Sequence, residues 1–359
     1  GYVNVSTPLR KAYEEAEKSV NAYGELFTAI EKAEKEYASN QSENLLNSIN
    51  TAKSLYESGE TSYEDLESIV AFLKSAQNNP NIAYQVISGI SITDAVDFHI
   101  AGITPFATAG SVDIINSDAV VIIDNVKPSL VLARHMQNIY INGEKAQNNV
   151  NCQVRMYNTG AIIFPYGKDF KPLTVYSEQN FEGTAVNDFG LENSNGYMNT
   201  LTDAKLNNAI RSFKLKRGYM VTFSIGARGR GYSRCFIADQ ADLEFATLPA
   251  VLDKHITSYR VFKWNNAQKK GLASDTGAEG NQVLNSAWCY DWGPGQDRGV
   301  DTETVPHKIH KNWPSPADCG RVTYSPHMKT DNEPGNSPDD TPCSVADVLA
   351  YWEDAMATG

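Results

Sequence analysis

The composition of the chain shifts three times along its length, each shift reading as a domain boundary, and this argues against a single compact fold. From Thr7 to about Gln77 the apolar positions Leu9, Tyr13, Ala16, Val20, Tyr23, Phe27, Ile30 and Ala33 fall three or four apart, the repeat of one helix face. Thr7-Pro8 opens this stretch with a capping hydroxyl and a proline at the first helical position. Asn40, Gln41 and Ser42 break it, and a second helix is predicted over about 42–57. Ser62, Tyr63, Glu64 and Asp65 read as the capping box of a third helix, with Leu66, Ile69, Val70 and Leu73 on one side. The expectation for residues 1–79 is a three-helix bundle, a spacer of the kind used on bacterial surfaces, with no polar cluster on its apolar face.

After Asn78, Asn79, Pro80 and Asn81 the repeat turns from helical to alternating. Strands are predicted at 97–100, 111–115, 119–123, 138–141, 152–157 and 161–164, with turns at Asn142-Gly143 and at Asn158, Thr159 and Gly160. The unbroken apolar run from Ala119 to Ile123 predicts a strand covered on both faces. This β-rich module, residues 80–171, sets no nucleophile beside a base. His99 and His135 read as structural histidines.

The 359 residues allow two to four domains at ~100–200 residues each. Lys and Arg total 31 against 43 Asp and Glu, and the net charge of −12 argues against a nucleic-acid partner, whose phosphates such a surface repels. No run nears the ~20 apolar residues of a spanning helix, and the N-terminal residues lack the pattern of a signal peptide. The five cysteines are widely spaced without a CxxC pair, which disfavours a zinc site; Cys319 with Cys343 is the one pair worth testing as a disulfide.

In residues 172–263, Tyr176, Phe181 and Gly183 form an aromatic-x4-aromatic-x-Gly pattern, in which the glycine permits a folded-over hairpin and the two rings pack across it. About thirty residues later come Asn208, Arg211 and Ser212, and Gly218-Tyr219 then opens a looser second half closed by Lys254, Thr257 and Ser258. The segment resembles the βγ-crystallin fold, a Greek-key β-sandwich. In its calcium-binding members a side-chain oxygen stands where this chain has Arg211, and Lys254 replaces an acidic or amide residue, so the resemblance implies a structural or glycan-contacting module rather than a calcium site.

All five tryptophans, Trp264, Trp288, Trp292, Trp313 and Trp352, lie in residues 264–359. Indoles beside polar residues suit a carbohydrate site, because a pyranose stacks its apolar face on a ring while its hydroxyls demand fixed partners. Core packing is expected for Trp264 and Trp352, whereas Trp288 and Trp292 run into the loop Gly293-Pro294-Gly295. Strands are predicted at 269–273, 287–292 and 305–308, then at 322–328 leading to Asp331, Asn332, Glu333, Pro334 and Gly335, where proline ends the strand.

This series, with His310, Trp313 and Pro314, resembles glycoside hydrolase family 128, retaining β-1,3-glucanases built as (β/α)8 barrels. The resemblance implies Glu333 as general acid/base, Asn332 beside it on the sugar, Trp288, Tyr290, Trp292, His310 and Trp313 lining the cleft, and neither metal nor cofactor. The 91 residues from Lys269 onward fall short of the ~200–250 of a complete barrel, so the first half of a barrel is expected, with its nucleophile and C-terminal half missing. Of the carboxylates present, Asp291 and Asp331 stand nearest in sequence context. A metal site at His307, His310 and His327 lacks a helical pair spacing.

The sequence thus predicts a multidomain α + β protein, carbohydrate-active, cleaving a β-1,3-glucan or related β-glucan and exported to the bacterial surface, periplasm or exterior. The alternative is a non-catalytic glycan-binding or adhesion protein.

Overall fold

The structure is a computed structural model. It describes residues 6–41, 43–59, 61, 63, 66–67, 69–70, 73–74, 89–101, 111–187, 199–201, 205–274, 276–315, 318–319, 325–330 and 344–356. Contacts divide the chain into two units, Gly1–Lys168 and Asp169–Gly359.

The first unit begins with helix α1 (Ser6–Asn40), and Gln41 at φ 54° turns the chain into α2 (Glu43–Ser58). The shorter α2 lines only part of α1, so Leu9, Tyr13 and Val20 stay exposed. Where the helices meet, the buried face of α1 runs through Ala22, Leu26, Ala29, Ile30 and Ala33 against Leu45, Ile49 and Ala52. The predicted stripe is therefore corrected by one position, Leu26 replacing Phe27 in the core; small alanines let the backbones approach, and Phe27 packs at the rim on Tyr56. Tyr63, Leu66, Glu67, Ile69, Val70, Leu73 and Lys74 are helical, and four of them, Leu66, Ile69, Val70 and Leu73, join this core. Ser62, Glu64 and Asp65 of the predicted capping box lie outside the described residues.

The same unit continues with β1 (Ile90–Ile92), β2 (Asp97–Ala101), β3 (Val112–Ile114), β4 (Val120–Asp124), β5 (Ile139–Ile141), β6 (Glu144–Lys145), β7 (Gln153–Asn158) and β8 (Gly160–Phe164). The chain alternates between two layers. β1, β3 and β5 are parallel in one, with Ile90, Val112 and Ile139 in register, while β2 and β4 are parallel in the other and β8 and β7 extend it antiparallel. Each pass adds a strand to both layers, as in a coil, and Ile92, Ile100, Ile114, Val121, Ile123 and Ile163 fill the space between. The strand at Ile90 was not predicted, whereas β4 is buried along Val120–Ile123 as its apolar run requires. His99 holds Asp124 at 3.0 Å, and His135 is buried.

The second unit opens with β9 (Leu173–Tyr176), β10 (Ala185–Val186), β11 (Asn199–Thr200), β12 (Ser212–Leu215), β13 (Tyr219–Ser224), β14 (Ser233–Ala238), β15 (Leu243–Phe245) and β16 (Ser258–Lys263). They make two antiparallel sheets, ordered β10-β9-β12-β15 and β11-β16-β13-β14. Each half of the segment lends one strand to the other's sheet: β11 crosses to β16, and β15 crosses back to β12. Phe213, Phe223, Phe236 and Phe245 pack between them, mostly edge to face at 5.0–6.1 Å. The exchange of strands between sheets is the Greek-key arrangement that the resemblance of residues 172–263 implies.

Beyond the short β17 (Asn266–Ala267) come β18 (Gly271–Leu272), helix α3 (Gly277–Val283), β19 (Trp288–Cys289), β20 (Glu303–Thr304), β21 (His307–Lys308), β22 (Lys329–Thr330) and helix α4 (Val345–Met356). Pairing is parallel throughout, β18 with β19, β19 with β20, and β21 with β22. β18, β19 and β21 fall within the strands predicted at 269–273, 287–292 and 305–308, whereas β20 was not predicted and β22 lies just past the predicted 322–328, of which 322–324 lie outside the described residues. Each spans two residues, and among the described residues they form two short sheets rather than the wall of half a barrel. Ser344 caps α4: its hydroxyl accepts from the Asp347 amide, and its own amide and hydroxyl hold the Asp347 carboxylate below the usual range. Trp352 is corrected from the core to the surface, 42% exposed on α4.

Candidate functional site

Trp288, Tyr290 and Trp292 are spaced two apart where β19 runs out, a spacing that puts alternate side chains on one side of an extended chain. Trp288 is committed to the protein. Its indole lies on Gly271, where a Cβ would come within 2.0 Å of the ring, and its Nε1 donates to the Lys269 carbonyl at 3.1 Å.

Tyr290 is the hub. Its ring is parallel to Trp288 with 6.4 Å between centroids, edge-on to Trp292 at 5.2 Å and to His307 at 5.5 Å, and capped by the Lys329 ammonium at 3.2 Å. The half-buried ring, held in this way, supports its neighbours.

Trp292 and Trp313 are the open faces, 40% and 48% exposed. Trp292 sits at φ 59°, a left-handed conformation that costs a bulky side chain of order 1–2 kcal/mol and is characteristic of functional positions. The Trp313 ring lies against Gly293, with Asp291 close by. His310 is spent inside its own loop: its amide and carbonyl bond those of Trp313, and its Nδ1 accepts from the Asn312 amide at 3.2 Å.

The sequence-predicted Asn332 and Glu333, and with them Asp331, lie outside the described residues. So does Cys343, while Cys319 is a buried thiol pushed up to about 11 by desolvation. His307 packs edge-on to Tyr290, and His310 bonds within its own loop. His327 donates through Nδ1 to the Glu303 carboxylate (2.7 Å), which raises its pKa, and packs edge-on to Trp264. Among the described residues no group of three His, Cys, Asp or Glu side chains converges.

The crystallin-like segment holds the second constellation. In its first hairpin Tyr176 and Phe181 pack edge to face at 5.7 Å, with Asn180, Phe181 and Gly183 at φ 57°, 64° and 76°. Ser212 locks it, its hydroxyl donating to the Glu178 carbonyl (2.6 Å) and accepting from the Phe181 amide (3.1 Å).

A second hairpin repeats this geometry and was missed in the sequence: Arg228, Gly229 and Gly231 stand at φ 57°, 76° and 76°. There the Ser258 hydroxyl bonds the Gly226 carbonyl at 2.6 Å and the Gly229 amide at 2.9 Å. Ser224 and Gly229 occupy the two aromatic positions, so the only remaining signals were Gly231 and Ser258.

The halves differ in charge as well. Arg211 forks onto Asp253 (3.0 and 3.2 Å) and reaches Glu178 (2.9 Å), and these partners raise its pKa further. A guanidinium thus fills the place between two carboxylates that a divalent cation would need, and calcium does not fit there. At the matching positions of the second half stand Thr257, Asn207 and Gly226, all neutral, with the Asn207 Oδ1 buried and lacking a hydrogen-bond partner.

No family model matches the chain, and no curated protein does. Among solved structures it is similar to a double mutant of a βγ-crystallin domain from Clostridium beijerinckii, at 18% identity over 26% of this chain and 97% of that one, TM-score 0.21. A βγ-crystallin domain from Flavobacterium johnsoniae shares 22% identity over 25% and 93% of the two chains, TM-score 0.20. The N-terminal domain of protein S shares 23% over 26% and 96%, TM-score 0.20.

Proposed function

We propose that the protein is carbohydrate-active and holds a β-glucan on the Trp292 and Trp313 faces, with Glu333 as general acid/base of a retaining glycosidase. The observation that carries this reading is the pair of exposed indoles, Trp292 on strained backbone and edge-on to Tyr290, and Trp313 against Gly293. Flat apolar rings fixed in place suit the C–H face of a pyranose, and the neighbouring Asp291 carboxylate suits its hydroxyls. Trp292 follows the C-terminal end of parallel strand β19, and His310 and Trp313 follow that of β21. In the sequence Asn332 and Glu333 follow Thr330, the last residue of β22, in the same manner. A carboxylic acid there would protonate the glycosidic oxygen as the bond breaks, a step that general acids accelerate by ~10²–10⁴.

The test is release of reducing sugar from laminarin, with retention of anomeric configuration followed by NMR. Glu333→Gln is expected to lower the rate at least about a hundredfold with glucan binding kept. Binding without release by the wild type would leave the non-catalytic glycan-adhesion reading, and loss of neither binding nor rate in Trp292→Ala would end both.

A further inference from the structure

We infer that Lys308 is a positioning residue for the sugar face: its buried ammonium holds the loop that presents Trp313. The inference rests on the glucan reading above and adds what keeps the second indole in place. Lys308 ends β21 and is fully buried, a setting in which the desolvation of an ammonium must be offset by fixed partners. Its Nζ donates to the carbonyls of His310 (2.8 Å), Lys311 (3.4 Å) and Pro314 (3.1 Å), and lies 4.6 Å from the ring centroid of Tyr351 on α4.

Three carbonyls of one short loop therefore converge on one cation, and they bracket Trp313. The paired bonds between His310 and Trp313, 3.1 Å each, close the same loop, and Lys311 ties it to Asp347 at the start of α4 (3.2 Å). With its backbone fixed, the indole is left against Gly293, where an added Cβ would meet Cη2 at 3.2 Å. The Gly293 carbonyl in turn accepts from the His307 amide at 2.8 Å. Two successive residues of one strand thus hold the loops of both open indoles: His307 through its amide, Lys308 through its ammonium.

The experiment uses the full chain labelled with 5-fluorotryptophan, the Trp313 resonance being assigned with Trp313→Phe, and titrates laminarihexaose by calorimetry. In Lys308→Met the Trp313 resonance is expected to move toward its value in unfolded protein while that of Trp264 stays, and affinity to fall about tenfold, the scale of losing one well-placed aromatic contact. General destabilisation would move both resonances. An unchanged Trp313 resonance in folded Lys308→Met overturns the inference. Should that variant not fold, Lys308→Gln, which keeps a neutral donor, carries the same test, and an unmoved Trp313 resonance there overturns it equally. If the wild type binds no laminarihexaose the glucan reading fails, and the fluorine spectra still decide whether Lys308 holds Trp313.

Discussion

The two hairpins of the crystallin-like segment reach one backbone geometry from different side chains. The first is spanned by Tyr176 and Phe181 and has an aromatic at φ 64°; the second has Ser224 and Gly229 at those places, yet Arg228 repeats the left-handed turn of Asn180. What they share is a serine hydroxyl that bonds a carbonyl and an amide across the bend, and a glycine two residues after the second aromatic position. The hydroxyl and the glycine therefore define the fold of the hairpin, and the rings add packing to it.

If so, the glycines come first in effect. Gly183→Ala would set a Cβ 2.4 Å from Ser177 Oγ and 2.9 Å from Glu178 Cγ at φ 76°, and is expected to cost about 2–4 kcal/mol in urea unfolding. Gly231→Ala meets only Ile225, at 3.0 Å, and should cost about 1–2 kcal/mol, so equal losses would contradict the contacts described.

Next, Ser212→Ala and Ser258→Ala, each removing a buried hydroxyl, should each lose about 1–3 kcal/mol by leaving wholly or partly buried backbone hydrogen-bond groups without a partner. A hairpin held by its rings would make Ser212 the less sensitive of the two.

Phe181→Gly, which makes the first hairpin resemble the second, is expected to change stability by less than about 1 kcal/mol, because lost ring contact is offset by relief of left-handed strain. A large loss would show the rings to be essential.

The smallest effect lies elsewhere in the unit, at the His327–Glu303 contact. The raised folded-state pKa means that its contribution is fully present below the unfolded value near 6.5 and is lost as pH rises through the folded one. An NMR titration should find His327 above 6.5 in the wild type and shifted downward in Glu303→Gln, where burial, which lowers it, is no longer opposed by the carboxylate.

The same contrast explains what could be read from the chain. The first hairpin was legible because Tyr176, Phe181 and Gly183 are conspicuous, and the second was not, because its geometry rests on one hydroxyl and backbone angles that leave no aromatic trace. The strands of the first unit longer than three residues were all found, β4 by its unbroken apolar run, but the alternation between layers depends on parallel pairing across twenty or more positions, which no local pattern encodes. The indoles were legible as a cluster. Their division of labour was not, since Tyr290 is closed off by Lys329 and Trp313 is set by Lys308, contacts fixed only by the tertiary fold. The helical stripe failed at Leu9, Tyr13 and Val20 because a helix face is buried only where a partner is long enough to reach it.

Arg211 carries a consequence for solution behaviour. A counter-charge that is covalently part of the polypeptide cannot be diluted, chelated or exchanged, so the joint between Glu178 and Asp253 stays loaded through purification in EDTA and through swings in ion supply. That half of the segment has given up a response to its surroundings and gained constancy.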